Sequence, residues 1–384
     1  MSVKPGTQSA LDPVMIGAVL ALIGVGAIMV GSSSVSIAND RFGEPLYFLV
    51  QHFAALGLGL VGLIVALQVP IDWWSRLASL VLFGAFALLV LVLLPGVSDP
   101  ANGARRWIDL GPLNLQASEL ARLLLLIYIA SYCVRRHDAL CSGFGGFARP
   151  LLVIALASAL LLLEPDFGAT VVLTATSLGI LFVAGARLRD VVLTGSAAVG
   201  VFALLIFFSP YRFNRVLYSF LDPWEHRFDT GYQLVNSFIA IGSGTWFGAG
   251  LGEGVQKLHY LPEPHTDFIF AVLAEELGFI GASGVVLLFA LLVWRAFALG
   301  QRAIVRQMPF HGLLAMGIGL MLGLQAAISI GVNTGLLPTK GLALPLISYG
   351  RTSAVVTLLA IGLLLRVAHE LNQMPATVAE RRAR

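Results

Sequence analysis

Apolar runs long enough to cross a membrane dominate the chain, and this feature limits the fold more than any other. A helix needs about 20 predominantly apolar residues to cross a hydrocarbon core of about 30 Å. Hydrophobic residues make up 58% of the 384 residues and charged residues only 12%, which excludes an ordinary soluble domain. The runs lie near residues 14–36, 47–69, 74–95, 118–134, 150–163, 169–185, 190–209, 268–298, 311–335 and 353–371. The sequence therefore predicts an all-α polytopic membrane protein with about ten transmembrane helices.

The fifth and sixth runs are short, and the sequence leaves their topology open. They are joined by Glu164-Pro165-Asp166. They can form two spans, one broken helix or a re-entrant hairpin, because irregular backbone is tolerated at membrane depth only beside protein or a water-filled cavity. The helix count could therefore be one lower.

Basic residues beside the spans predict which side faces the cytoplasm, because positively charged loops tend to stay inside. One side carries Lys4, Arg76, Arg135, Arg136, Arg149, Arg187, Arg189, Arg295, Arg302, Arg306, Arg366, Arg381, Arg382 and Arg384. With this side cytoplasmic, residues 1–12 and 373–384 are short cytoplasmic ends of a single membrane domain, residues 13–372. Residues 210–267 then form a large extracytoplasmic loop between the seventh and eighth helices. The first run is too long for a cleavable signal peptide and predicts a retained span.

The opposite side is also basic, which departs from the usual charge distribution. It carries Arg41, Arg105, Arg106, Arg212, Arg215, Arg227, Lys257, Lys340 and Arg351. A basic outer surface beside a membrane favours an anionic lipid partner, such as a lipid phosphate or diphosphate. No nucleic-acid partner is predicted.

A cluster of titratable residues, Tyr260–Phe270, precedes the eighth run and contains His265 and Asp267. Thr266 or Asp267 is predicted to cap a helix that begins at about Phe268, because a side-chain oxygen there can accept from the first unpaired backbone N–H groups. A capping role alone and a chemical role for this carboxylate both remain open.

Two pairs of charged residues lie within the predicted spans. Glu119 and Arg122 are three residues apart and are predicted to be neighbours on one helix face, where they can neutralise each other. Glu275 and Glu276 follow Asp267 by about two helical turns and point to different faces of the helix. They cannot all line one small pocket, so at least one glutamate is expected to pair with another helix.

Two further segments combine backbone breakers with polar groups. The outer loop contains a glycine series, Gly242, Gly244, Gly248, Gly250, Gly252 and Gly254, followed by Lys257. As a phosphate cradle this series is a weak signal that matches no P-loop, and a flexible re-entrant loop explains it about as well. Residues 337–350 contain Lys340 and Ser348 among prolines and glycines, which predicts irregular backbone beside a cavity.

Six motifs occur in a fixed order along the chain and carry a resemblance to a known family. They are Arg106-Trp-Ile-Asp, Gln116-Ala-Ser-Glu119, Glu164-Pro-Asp-Phe-Gly168, Gly231-Tyr-Gln, Leu261-Pro-Glu-Pro-His-Thr-Asp-Phe-Ile-Phe and Glu275-Glu-Leu-Gly. In this order they resemble the SEDS family of bacterial cell-wall proteins. The stretch Gly335-Leu-Leu-Pro-Thr-Lys-Gly-Leu is more similar to the cell-division member than to the elongation member. Ala117, Arg122 and Arg351 stand where the family usually has Pro, Lys and Gly.

The resemblance implies a peptidoglycan glycosyltransferase of the bacterial cytoplasmic (inner) membrane, which polymerises lipid II and releases undecaprenyl diphosphate. It implies a cognate class B penicillin-binding protein and other divisome membrane proteins as partners, together with a place at the division septum. It also implies that Asp267 is the catalytic residue.

We therefore expect Asp267 to act as a general base on the acceptor sugar hydroxyl as that hydroxyl attacks the anomeric carbon of the donor. Basic outer residues would stabilise the leaving diphosphate. The predicted substrate-binding residues are Arg106, Glu119, Arg122, Arg212, Arg215, Lys257, His265, Lys340 and Ser348. Glu164, Asp166, Glu275 and Glu276 are predicted to have structural or supporting roles. No cofactor is assigned; a divalent cation could share the charge stabilisation, although no ligand spacing identifies a site.

Three other functions are compatible with parts of the sequence. A transporter that flips the same lipid-linked precursor would also carry charged groups and broken helices in its spans. A polymerase of another lipid-linked glycan would share the basic outer loops, and a scaffold would need no carboxylate at Asp267.

Overall fold

The computed structural model describes residues 11–98, 106–109, 114–339 and 341–373. In this part of the chain the regular elements are helices and one small β-hairpin, joined by short turns and by a few longer irregular segments. The helices are α1 (Pro13–Phe42), α2 (Tyr47–Gln68), α3 (Ile71–Arg76), α4 (Ala78–Leu93), α5 (Ala117–Arg135), α6 (His137–Ser142), α7 (Phe144–Leu163), α8 (Phe167–Val183), α9 (Leu188–Phe207), α10 (Pro210–Leu221), α11 (Tyr232–Ser243), α12 (Ile269–Val305), α13 (Pro309–Asn333) and α14 (Arg351–Gln373). The strands are β1 (Trp107–Asp109) and β2 (Asn114–Gln116).

Each predicted apolar run coincides with a helix in the described part of the chain. Eight of these helices are long and apolar enough to cross a membrane by length and composition. The other two, α4 and α8, are apolar but contain 16 and 17 residues. The predicted class, an all-α polytopic membrane protein, is confirmed. The fifth and sixth runs form two separate helices, α7 and α8, which pack against each other across the turn at residues 164–166.

Small residues allow close packing between distant parts of the chain, as in the pair α2 and α14. A Cβ atom added at Gly59 of α2 would lie 2.6 Å from Cδ1 of Leu358 on α14. A Cβ atom added at Gly362 of α14 would lie 2.7 Å from the carbonyl oxygen of Leu63. A side chain at either position would collide with the partner helix, so glycine lets the two backbones approach closely. Helices in a membrane associate largely through such tight van der Waals packing. The pair holds the last helix against the second.

The long helix α12 is broken at Gly278, and the glycine-rich loop of residues 244–256 fills the break. Gly278 has φ 68° and ψ −170°, a conformation that only glycine adopts readily. Backbone N–H groups of the loop donate to the carbonyls of Glu275 and Glu276 at 2.9 and 3.2 Å, from Ala249 and Gly250. Such bonds compensate for the helical hydrogen bonds that the break removes. The glycine series therefore allows the loop to dock on α12.

The short hairpin β1–β2 was not predicted from the sequence, and it lies at the entrance to α5. Trp107 pairs with Gln116 and Asp109 with Asn114 in antiparallel register. The hydroxyl of Thr352, on the first turn of α14, donates to the carbonyl of Asn114 at 2.8 Å and accepts from the Gln116 backbone N–H at 3.0 Å. The hairpin is thus fixed to α14 as well as to α5.

Candidate functional site

The most prominent opening in the described part of the protein is a cleft of about 690 Å³ that charged groups line from several directions. They come from β1 and its approach, α5, the α7–α8 turn, α10 and the segment before α12. The charged residues that line the cleft are Arg106, Glu119, Asp166, Arg212, Glu263 and Asp267. Five of these were predicted from the sequence to be site residues, and the fold brings those five together across more than 160 residues of chain.

Asp267 lies two residues before the start of α12, and its carboxylate lies against the backbone of Gly341. A Cβ atom added at Gly341 would be 2.8 Å from Oδ2 of Asp267. The segment 341–350 therefore forms the wall of the cleft behind this carboxylate.

The predicted capping of α12 by Thr266 or Asp267 is not what the structure shows. The helix begins at Ile269, and Phe268 at the N-cap position makes no side-chain capping bond. The Thr266 hydroxyl instead donates to Glu263, to the carbonyl at 3.3 Å and to the carboxylate at 3.0 Å. The first-turn N–H of Ala271 donates to Oδ1 of Asn333, 3.0 Å away on α13. The cap comes from another helix, which no local sequence rule predicts.

Within the part of the chain that the structure describes, Arg106 is held by main-chain carbonyls and not by a carboxylate. Its Nε donates to the carbonyl of Glu164 at 3.2 Å, and its Nη2 donates to the carbonyl of Pro165. Asp166, in the same turn, caps α8 by accepting from the Ala169 N–H at 3.0 Å. Its other oxygen accepts from the Ser118 hydroxyl at 2.9 Å. The turn thus fixes a cation beside the cleft while Asp166 serves as a structural anchor.

Glu164 is completely buried and does not line the cleft. Neither of its carboxyl oxygens has a hydrogen-bond partner among the described residues. Burial raises the pKa of the Glu164 carboxyl to about 8; the negative charge of Asp166 adds to this shift and the positive charge of Arg106 opposes it.

Glu119 and Arg122 form the predicted ion pair one turn apart on α5, and both are buried. Only Glu119 lines the cleft; Arg122 lies behind it. The predicted contact between Arg122 and substrate is therefore not the geometry of this structure, in which the arginine supports Glu119.

Arg212 reaches the cleft from α10. Its guanidinium carbon lies 4.0 Å from the centre of the Phe167 ring, and both residues line the cleft. An arginine on an aromatic face retains its positive charge and its hydrogen-bond donors for a ligand. The side chain of Arg215 and the whole of Lys340 lie outside the described residues.

Lys257 differs most from its predicted role as a substrate-binding residue. Its Nζ contacts Glu276 at 2.6 Å, the Ser32 hydroxyl at 2.7 Å and the Gly252 carbonyl at 2.8 Å. It is buried and does not line the cleft. Glu276 also accepts from the Ser32 hydroxyl and from the Gly252 N–H at 3.0 Å. Lys257 here ties the glycine-rich loop to α1 and α12.

Glu275 holds the same loop at a second point. Its carboxylate accepts from the backbone N–H groups of Val255 and Gln256 at 2.9 and 3.2 Å. As expected, the neighbouring glutamates and Asp267 do not share one pocket.

His265 and Ser348 lie directly behind the cleft. The His265 ring is buried, with its centre 4.5 Å from that of Phe48 and 5.7 Å from that of Tyr349. Burial lowers the pKa of His265 to about 4, so the ring is neutral at neutral pH and cannot act as a cation for a phosphate. The Ser348 hydroxyl donates to the Thr266 carbonyl at 2.7 Å and accepts from the Leu344 N–H at 2.8 Å.

Residues at or near the site that the sequence did not single out include Gln116, Glu263, Asn333 and Gly341. Asn333 gave a signal that was not used, since an amide inside an apolar span asks for a partner. Gly341 gave none, because only its neighbour in space explains it. Within the described residues, no group of three or more His, Cys, Asp or Glu side chains could hold a metal ion.

Comparison with known proteins gives consistent results along nearly the whole chain. The FtsW/RodA/SpoVE family model, described as a cell cycle protein, matches residues 13–373. A probable peptidoglycan glycosyltransferase FtsW of Halorhodospira halophila is 50% identical over 371 residues, 96% of this chain and 93% of that protein. A protein of the same name from Thioalkalivibrio sulfidiphilus is 51% identical over 352 residues, 92% of this chain and 88% of that protein.

Two solved structures share the fold. One, described as structural coordination of polymerization and crosslinking by a peptidoglycan synthase complex, includes a chain that is 31% identical with a TM-score of 0.76. The match covers 96% of this chain and 100% of that one. The crystal structure of the rod shape determining protein RodA of Thermus thermophilus is 30% identical with a TM-score of 0.69, over 95% of this chain and 99% of that one.

Proposed function

Since the chain belongs to the FtsW/RodA/SpoVE family, we propose that it is a peptidoglycan glycosyltransferase that polymerises lipid II into glycan strands during septal cell-wall synthesis. The observation that carries the proposal for this chain is the cleft, in which the Asp267 carboxylate lies together with Arg106 and Arg212. The reaction needs a base for the proton of the acceptor hydroxyl and positive charge for the diphosphate of the donor. The carboxylate in the cleft suits the first need and the two arginines suit the second.

In this mechanism Asp267 is the general base. Its carboxylate takes the proton of the acceptor sugar hydroxyl, the hydroxyl oxygen bonds to the anomeric carbon of the donor, and the bond from that carbon to the diphosphate oxygen breaks. The undecaprenyl diphosphate leaves with the electron pair. Because the bond forms and breaks in one displacement, the configuration at the anomeric carbon inverts.

Arg106 and Arg212 are the residues that we propose for the leaving diphosphate. Each is fixed by neutral groups, Arg106 by carbonyl oxygens and Arg212 by the Phe167 ring, so among the described residues neither arginine is paired with a carboxylate. Guanidinium groups bind phosphate oxygens through two parallel hydrogen bonds, which a fixed orientation favours. Arg122, Lys257 and His265 are left out of this role, since the first two are paired inside the protein and the third is neutral.

The proposal extends to location and partner. The protein is a multi-pass membrane protein, and we propose that both termini are cytoplasmic and that the cleft faces the outside of the cytoplasmic membrane at the septum. A cognate class B penicillin-binding protein is the proposed partner. Support comes from the solved chain of a peptidoglycan synthase complex that shares the fold.

The proposal is tested by polymer formation from labelled lipid II, using the purified protein with its partner in liposomes and separating products on a gel. Asp267→Asn preserves the shape of the side chain and removes its basicity, so glycan synthesis should fall by about 100-fold or more. Asp222→Asn is the matched control, because Asp222 is exposed and its carboxylate caps a turn by accepting from the Trp224 and Glu225 N–H groups at 3.0 and 3.2 Å, which an asparagine can also do.

Chains from the wild type and from Asp222→Asn, with none from Asp267→Asn, would support the assignment. Equal synthesis by Asp267→Asn would overturn the role of Asp267. No chains from the wild type, together with transfer of labelled lipid across the bilayer, would indicate a flippase instead.

A further inference from the structure

Three consecutive backbone carbonyls, of residues 265–267, are each held by a donor from another part of the chain. The Tyr349 N–H donates to the carbonyl of His265 at 2.8 Å. The Ser348 hydroxyl donates to the carbonyl of Thr266 at 2.7 Å. The side-chain N–H of Asn333 donates to the carbonyl of Asp267 at 2.9 Å. A segment that is neither helix nor strand therefore has every carbonyl fixed, up to and including the residue proposed as the general base.

Of the two side chains that hold these carbonyls, Asn333 and Ser348, the Asn333 amide has more hydrogen bonds. It is fully buried at the end of α13. Its Nδ2 donates to Asp267 and also to the Ser329 carbonyl at 2.9 Å, while its Oδ1 accepts from the Ala271 N–H at 3.0 Å. With three hydrogen bonds in three directions, the amide has one orientation that satisfies all partners. The Asn333 amide thereby joins the Asp267 carbonyl to the first turn of α12.

Ser348 joins residues 265–267 to segment 341–350, the wall of the cleft behind the Asp267 carboxylate. Its hydroxyl bridges the Thr266 carbonyl and the Leu344 N–H within segment 341–350. That segment also carries Gly341, whose backbone lies against the Asp267 carboxylate. One hydroxyl thereby fixes the distance between the carboxylate and the wall behind it.

A residue next to α12 in sequence could have capped the helix, but capping by Asp267 would have removed its carboxylate from the cleft. Thr266 and Asp267 are both of residue types that cap helices, and an Asp267 carboxylate turned towards the helix N–H groups would leave the cleft. Asn333 provides the capping oxygen from α13. The Asp267 carboxylate lines the cleft.

We propose that Asn333 and Ser348 are positioning residues for Asp267, which hold the backbone of residues 266 and 267 so that the carboxylate stays aimed into the cleft. The proposal rests on the proposed function of Asp267 as general base. It reassigns Ser348, for which the sequence predicted substrate contact. A displacement of about 1 Å in a reacting group can lower a rate by about 100-fold, so two backbone hydrogen bonds are enough to matter.

The experiment measures kcat and KM for lipid II with the full-length protein and its partner. Asn333→Asp keeps an acceptor for the Ala271 N–H at the helix N-terminus but loses both donors. Ser348→Ala removes the hydroxyl, and Ser348→Thr restores it. We expect kcat to fall by about 10- to 100-fold in Asn333→Asp and Ser348→Ala, with KM within about 2-fold of the wild type, and to recover in Ser348→Thr.

Two controls remove comparable buried hydrogen bonds away from residues 265–267. Asn236→Ala removes an amide that donates to the Tyr232 carbonyl at 2.9 Å within α11. Ser33→Ala removes a hydroxyl that donates to the Met29 carbonyl at 2.6 Å within α1. Thermal unfolding of every variant shows how much protein is folded, and the Ser348 pair keeps the test decisive if Asn333→Asp fails to fold.

A selective loss of kcat with KM retained would support the proposal. Folded variants with wild-type kcat, or losses no larger than those of the two controls, would overturn it, and so would a raised KM with unchanged kcat in Ser348→Ala, which indicates substrate contact. If the wild type forms glycan chains and Asp267→Asn does not, such results would refute the positioning roles alone. Failure of the proposed function would appear separately, as a wild type that makes no chains.

Discussion

Two clusters near the start of α12 each contain a carboxylate and at least one cation, and the two clusters serve opposite purposes. We call Arg106, Arg212 and Asp267 the cleft cluster, and Ser32, Lys257 and Glu276 the anchor cluster. Asp267 and Glu276 are only nine residues apart, on either side of the start of α12 at Ile269. In the anchor cluster a lysine and a glutamate contact each other at 2.6 Å and are buried. In the cleft cluster a carboxylate and two arginines share a cleft of about 690 Å³.

The two clusters differ in the partners of their positively charged side chains. The charge of Lys257 is satisfied by a carboxylate, a hydroxyl and a carbonyl from three segments, so a ligand would have to displace all of them. The arginines of the cleft cluster are held by carbonyl oxygens or by an aromatic ring, which fix their position without neutralising them. Anionic ligands are expected only at the second kind of cation, because a paired charge in a dry site gains little from exchanging partners.

The largest expected effect is on stability, from Lys257→Met. Removing the lysine leaves the buried Glu276 carboxylate without its cation, which should lower the free energy of unfolding by about 3–5 kcal/mol. The double variant Lys257→Met/Glu276→Gln removes both charges and should recover part of this loss. Thermal unfolding of the purified proteins measures both effects.

Arg212→Met is the matched change in the cleft cluster. It should lower glycan synthesis while leaving the unfolding temperature within a few degrees of the wild type, because Arg212 packs on the Phe167 ring and pairs with no buried carboxylate of the described residues. If Lys257→Met instead kept wild-type stability and lost synthesis, Lys257 would belong to the cleft cluster and the comparison would fail.

A smaller effect, on activity, is expected from Gly341→Ala. The new methyl group would lie 2.8 Å from Oδ2 of Asp267, so the carboxylate or the segment behind it must move. Glycan synthesis should fall by about 10- to 100-fold. Gly284→Ala in α12 is the control, because a Cβ atom there meets nothing within 4 Å, and it should be neutral or slightly stabilising. Equal activity of the two variants would show that the wall does not position Asp267.

The architecture was predictable from sequence, and the reason is physical. Backbone groups in a membrane must form hydrogen bonds internally, so each apolar run becomes a helix. The regular rotation of a helix similarly predicted that Glu275 and Glu276 would not share one pocket with Asp267, and the spacing of Glu119 and Arg122 predicted their ion pair.

The pairing of Lys257 and the cap on α12 could not be predicted in this way. Lys257 meets Glu276 because the glycine-rich loop docks at the break at Gly278, a contact that depends on backbone shape far from either residue. Capping by Thr266 or Asp267 was the local expectation, but Asn333 supplies the bond from α13. Local rules fail where a partner from another helix competes with a neighbour in sequence.

The smallest expected effect on activity is that of Glu164→Gln, which makes the same chemical change as Asp267→Asn. Glu164 lies beside the cleft without lining it, and its buried carboxyl has a pKa of about 8. It is therefore largely protonated at pH 7, and an amide of similar shape should keep glycan synthesis within about 2-fold of the wild type.

The same substitution should change how stability depends on pH. Because the folded pKa of about 8 lies above the ordinary value of 4.5, the folded protein binds more protons than the unfolded chain between these pH values. The wild type therefore loses stability as the pH rises through this range, and Glu164→Gln removes that loss. The unfolding temperature of the variant relative to the wild type should increase from pH 5 to pH 9. A flat difference would show that the carboxyl is not held protonated, and a loss of synthesis as large as that of Asp267→Asn would extend the cleft cluster to Glu164.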